Sequence, residues 1–202
     1  MSDTTISATN TAATTGPTTI RTVDGRNVPS AGTWNVDTSH STVGFIARHL
    51  MVTKVRGTFT DYSVDLTIAD RPEESSVVVA IQATSISTGD PARDGHVISP
   101  DFLDAEGFPT IDFRSTAVVP SGDTWSVTGD LTVHGVTKPV VLDVEFGGVA
   151  TDPWGASRAF FSATTEFDRE DFGITFNQPL AGGGVLVGKI VKIELEISAV
   201  AA

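Results

Sequence analysis

Residues Asp37 to His49, DTSHSTVGFIARH, alternate with a period of two. Val43, Phe45 and Ala47 fall on one side of the chain, and Thr42, Gly44 and Arg48 on the other. That is the pattern of a strand with one dry and one wet face. A histidine stands at each end, His40 and His49. The stretch therefore reads as the edge of an active site, the mouth of a binding pocket, or a strand end with two surface imidazoles.

The same period recurs along the chain. Val64, Leu66 and Ile68 alternate with Asp65 and Thr67, and Val77, Val79, Ile81 and Ala83 follow. Ile111, Phe113, Ser115 and Ala117 oppose Asp112, Arg114 and Thr116. Further apolar rows are Trp125 to Val133, Val140 to Phe146, Ala159 to Phe167 and Ile193 to Ile197. Turn signals such as PSGD and TDPWG separate several of them. Eight or more such strands predict an all-β protein, an antiparallel sheet folded on itself. Strands of up to about a dozen residues favour an up-and-down barrel over an immunoglobulin-type sandwich. Eight strands enclose room for side chains and one small ligand. The pattern alone leaves a filled and a hollow barrel both open.

One segment breaks the period. Gly89 to Thr110 is rich in Asp, Gly and Pro. Within it SPDFLDAE predicts a short helix, with Ser99 as N-cap, Pro100 in the first helical position and Asp101 in the first turn. Such a helix between barrel strands is expected to lie across an open end as a lid. At the N-terminus, residues 1–31 read as an extension and residues 32–202 as the barrel domain. The first 18 or so residues are Thr, Ala and Ser with almost no large apolar side chain, so they are expected to be disordered or loosely packed. Asp24-Gly25 predicts a small hairpin next to them.

Composition narrows the function. The 202 residues carry a formal net charge of −12, which argues against nucleic acid and against anionic membranes as partners. There is no cysteine, which excludes disulfides, thiol catalysis, iron–sulfur clusters and Cys-ligated zinc. The first 20 residues show neither a basic nor a continuous apolar region of a signal peptide, and no window is apolar enough for a membrane span. The expectation is a soluble, cytoplasmic protein without stable membrane insertion, or a periplasmic or secreted one if a leader has been lost.

Five motifs, in order, are similar to those of the YceI-like family: WNVDTSHSTVGFIARH, VRGTF, TSISTGDPARDGHVISPDFLDAEGFPTIDFRST, GDLTVHGVTKPVVLDV and FDREDFGITF. The resemblance runs from Thr33 to the end of the chain. It implies a bacterial polyisoprenoid-binding protein with a lipocalin-like barrel. The implied ligand is an amphiphile with a long apolar tail: a polyisoprenoid, an isoprenoid quinone or a fatty-acid derivative. The resemblance brings no established catalytic residues. The Thr-rich extension departs from the secretory leader that many members carry.

Eleven phenylalanines against one tyrosine suit apolar walls, whether these fill a core or line a tunnel. The expected tunnel lining is Val43, Phe45, Phe59, Val79, Ile81, Phe113, Leu131, Leu142, Val144, Phe161 and Phe167. At the mouth, His49, Arg93, His96 and Phe102 are the expected head-group contacts, while the turn VHGVTKP makes His134 structural. No histidines stand at metal-ligand spacing, so neither a metal nor a cofactor is expected. Ser41 beside His40 would suggest a nucleophile and base, but strand neighbours face opposite ways. No G-x-S-x-G elbow occurs, and the run LAGGGVLVG lacks the Lys-Ser/Thr of a phosphate loop. The chain therefore reads as a non-catalytic carrier. The alternatives are a hydrolase or isomerase acting on a lipid-like substrate, or a filled barrel acting as an interaction module. A homodimer is kept open as its assembly.

Overall fold

A computed structural model describes residues 20–202; the disorder expected of residues 1–18 lies outside them. The strands are β1 (Ile20–Val23), β2 (Arg26–Pro29), β3 (Gly32–Val36), β4 (Thr42–His49), β5 (Thr53–Phe59), β6 (Tyr62–Ile68), β7 (Ser76–Gln82), β8 (Ile86–Ser87), β9 (Thr110–Ser121), β10 (Thr124–Val133), β11 (Val136–Thr151), β12 (Ser157–Asp168) and β13 (Ile190–Ala201). Every pairing is antiparallel.

From β3 onward these pieces make eight barrel strands. β3 pairs with β6 and β4 with β5, while β6 pairs with β7 and β5 with β8. β3–β4, β5–β6 and β7–β8 are therefore three long strands, each bent once. The bends fall at the 3₁₀ turn Thr38–His40, at Thr60-Asp61 and at the 3₁₀ turn Ala83–Ser85. β9 to β12 continue the meander, and β13 pairs with β12 on one edge and with β3 and β4 on the other. That closure joins the two ends of the meander, while the short β8 and the first residues of β5 keep an unpaired edge. β1 and β2 form a separate hairpin, turned by Asp24 and Gly25, both with positive φ.

The alternation is modified where the ladder slips. In the β9–β10 pair Thr128 opposes Ala117 but Gly129 opposes Ser115, so Thr116 is an extra residue. Such a bulge inverts the facing of the residues beyond it. Val118 accordingly borders the interior, and Ala117, expected on the inner row, is exposed. Close packing explains Gly57: a Cβ there would sit 2.4 Å from the Phe45 ring.

The helix lies earlier than expected. It is α1 (Pro91–Val97), capped by the Asp90 side chain, which accepts from the backbone N–H groups of Ala92 and Arg93. Asp90-Pro91 offers the same start signal as Ser99-Pro100. Residues 99–107 instead form turns. Leu103 and Ala105 donate their N–H groups back to Val97 and Ile98, and Asp104 takes a φ of 45°, which ends any helical run. Leu103 and Ala105 are thereby buried against Ile86, Ile111 and Phe172.

At the opposite end Trp34, 1% exposed, packs with Ile68, Ala159 and Ala199, and its indole N–H donates to Ser30 at 3.1 Å. The bend in the first strand is pinned from outside. Asp37 accepts from Ser39 Oγ at 2.6 Å, His40 Nδ1 at 2.9 Å and Arg158 Nη1 at 2.6 Å. Arg158 Nε donates to Asp152 at 3.0 Å. Ser39, then the Arg158 guanidinium and His40, hold the Asp37 carboxyl well below the usual carboxylate range. The Ala156 backbone N–H, with Arg158, lowers Asp152.

Trp34→Ala is expected to cost about 3–5 kcal/mol in denaturant unfolding, the range for a large aromatic removed from a packed core; a loss below 1 kcal/mol would contradict this packing. A carboxylate with a depressed folded pKa stabilises above its ordinary value and loses that contribution as pH falls below it. Asp37→Asn should therefore melt a few degrees below wild type at pH 7, and the gap should narrow as pH drops below the ordinary 3.8. A gap that stays constant from neutral to strongly acidic pH would refute the assignment.

Candidate functional site

The inner faces of the eight strands enclose a cavity of about 580 Å³. The barrel is hollow. All of Val43, Phe45, Phe59, Val79, Ile81, Phe113, Leu131, Leu142, Val144, Phe161 and Phe167 border it. Phe45 leans on Phe59 with ring centroids 5.8 Å apart, and Phe146 on Phe161 at 5.5 Å. These tilted contacts let the rings serve as wall without filling the lumen.

The floor comes from a segment that the sequence reading set apart from the barrel. Val28, 4% exposed, and the buried Pro29 of the β1–β2 hairpin border the cavity. Arg21 fastens this hairpin: Nε donates to Pro29 O at 3.0 Å, and the two terminal nitrogens donate to the carbonyls of Ala69 and Asp70. The Arg26 guanidinium lies 5.6 Å from the ring centre of Trp125, another cavity-bordering residue. Trp34 supports the floor from outside the lining.

The mouth is the end where β4, β8, β10 and β12 finish. His49, Arg93, His96 and Phe102 all border the cavity there. Their chemistry differs from one to the next. Arg93 is engaged: Nε donates to Thr88 Oγ1 at 2.7 Å and Nη2 to Thr88 O at 2.9 Å. Asp94 accepts from the Thr88 N–H at 2.8 Å, so both charged neighbours fasten the start of α1. His96 pairs with Asp101 at 2.8 Å, and its ring stands 5.1 Å from Phe102 and 5.2 Å from Phe176. His49 is exposed and bridges Val187 across the glycine-rich run. His134 lies in the β10–β11 turn against Phe108.

The residue that sequence reasoning missed is Arg169, 3% exposed and bordering the cavity at the mouth. Nε donates to Gly188 O at 3.1 Å and Nη1 to Ile174 O at 2.6 Å, while Nη2 has no hydrogen-bond partner among the described residues. Burial lowers its pKa from the usual arginine value, opposed in part by Glu170 and Asp168. The signal was present, because Arg169 continues the inward row Phe161, Ala163, Thr165, Phe167 by the same period of two.

The pair His40 and Ser41 is not a catalytic dyad. Ser41 Oγ is held by Ser198, donating to its carbonyl at 3.3 Å and accepting its N–H at 2.9 Å, while His40 turns to Asp37. Among the described residues no group of three His, Asp or Glu side chains could hold a metal ion, and no helix is long and apolar enough to cross a membrane.

Because one side of Phe45 borders the cavity, Phe45→Asp should remain folded by circular dichroism, losing about 1.5–3 kcal/mol of side-chain burial. Loss of the β-sheet signal would mean that the carboxylate meets close-packed core.

A family model described as YceI-like domain matches residues 34–199. A UPF0312 protein of Pseudomonas savastanoi pv. phaseolicola is 43% identical over 137 residues, 67% of this chain and 71% of that protein. Burkholderia cenocepacia BcnA superposes with a TM-score of 0.71 at 22% identity, over 81% of this chain and 99% of that one. A polyisoprenoid binding domain from Saccharophagus degradans, implicated in plant cell wall breakdown, gives 0.58 at 13% identity, over 84% and 98%. The β1–β2 hairpin lies ahead of the segment that the family model matches.

Proposed function

This chain belongs to the YceI-like domain family, and from that premise we propose that its barrel is a non-catalytic carrier for an amphiphile with a long apolar tail. The observation that carries the reading is the cavity of about 580 Å³, walled by Val, Leu, Ile and Phe from every barrel strand. An apolar tail gains about 0.8 kcal/mol for each CH₂ it removes from water. A rigid, preformed lumen requires little reorganisation to receive it. Polyisoprenoids, isoprenoid quinones and fatty-acid derivatives share the needed chemistry. The polyisoprenoid binding domain among the structural neighbours supports the first of these. The tail lies along the barrel, with its end towards Val28 and Trp125 and its head at the rim formed by His49, His96 and Phe102.

This orientation gives the carrier a length limit. Affinity should rise about fourfold per added CH₂ while the tail still has wall to cover, and level off once it meets the hairpin floor. Val28→Trp raises the floor. Titrating a series of saturated fatty acids against both proteins should show the plateau reached at a tail several carbons shorter in the variant, with short tails bound equally well. The same plateau in both proteins would place the tail elsewhere. No length dependence in wild type would sink the carrier reading itself.

A further inference from the structure

We propose that Arg169 anchors the ligand's head group and that this head is an oxyanion, a carboxylate or a phosphate. The inference rests on the carrier reading and adds the chemistry of the polar end. Arg169 is 3% exposed and borders the cavity at its mouth. Two of its nitrogens are committed to the carbonyls of Ile174 and Gly188, and Nη2 has no partner among the described residues. A buried guanidinium with an unused N–H is costly unless something accepts from it.

Its neighbours do not supply the missing anion. Glu170 is taken by Lys189 at 2.6 Å, and Asp168 accepts from the Glu170 backbone N–H at 2.9 Å. Among the described residues no carboxylate makes an ion pair with Arg169. The group facing it is apolar: its guanidinium carbon stands 5.9 Å from the Phe102 ring centre. Phe102 meets Phe176 and His96 at 5.2 and 5.1 Å. These rings form a rim over which the junction of head and tail can pass. Arg169 therefore offers one positive charge and an Nη2 amino group, unpaired among the described residues, where an apolar cavity opens, the arrangement that pairs an anionic head with an apolar tail. Arg93, the arginine first expected to meet the head group, is only half-buried and turns Nε and Nη2 to Thr88.

Three probes with one tail separate the two ends of the ligand: hexadecanol, hexadecanoate and hexadecyl phosphate. Charge-assisted hydrogen bonds predict that the wild-type protein binds at least one oxyanion roughly tenfold or more tightly than the alcohol. The ratio of phosphate to carboxylate tells which oxyanion the site prefers. Arg169→Gln should bring anion and alcohol to similar affinity while the alcohol still binds. Glutamine cannot hold both the Ile174 and Gly188 carbonyls, so Arg169→Lys provides a second variant. It keeps the charge without the fork and should retain part of the preference. Equal affinity of wild type for all three probes overturns the anchor and leaves the carrier reading standing. A preference that survives in Arg169→Lys undiminished but disappears in Arg93→Gln also overturns it, in favour of Arg93. Failure of all three probes to bind overturns both readings.

Discussion

Eleven residue pairs join β12 to β13, and the other edge of β13 is shared between β3 and β4. The rest of the molecule depends on this closure. A closed antiparallel ring makes each side chain either lining or surface, and the period of two then decides which. Once Ile193, Leu195 and Ile197 face inward from β13, Phe161 and Ala163 must do so across the ladder from them. Closure around eight strands also sets the lumen's width, so apolar residues that would interdigitate in a two-sheet sandwich stand around a space instead.

The two ends of that space are built by different means. The floor is a hairpin in front of the matched family segment, held by Arg21 on the Ala69 and Asp70 carbonyls and by Arg26 over Trp125. The mouth is made of long connections: α1 with the turns after it, and the loop from Arg169 to Lys189. Short turns close the β10–β11 junction at this end and the β9–β10 junction at the other. Charge follows the same division. The outer network of Asp37, Asp152 and Arg158 is matched, and it fastens a bend. Arg169 makes no ion pair among the described residues, and it borders the lumen.

The inner rows were legible because each lies on one long strand whose neighbours preserve parity. Phe45, Leu131, Phe161 and Phe167 could be placed by counting in twos. Three features could not. Ala117 changed sides because a bulge adds one residue, and a bulge leaves no mark in a hydrophobic pattern. The helix slipped to Pro91–Val97 because Asp90-Pro91 and Ser99-Pro100 carry the same N-terminal signal, and only the buried Leu103 and Ala105 decide between them. Val28 was passed over because a four-residue hairpin strand has too few positions to show a period. Arg169 was overlooked for another reason: a charged residue reads as surface unless the row it extends is counted through to its end.

The central claim is that the lumen exists to hold a long apolar tail. Native mass spectrometry of the protein purified without detergent or added lipid tests it most directly, followed by solvent extraction of whatever the protein retains. The account predicts a bound species, released by organic solvent and identified as an amphiphile whose tail is long enough to run from the Arg169 rim towards the Val28 floor. A spectrum showing the bare chain alone, unchanged after incubation with long-tailed amphiphiles, would contradict it.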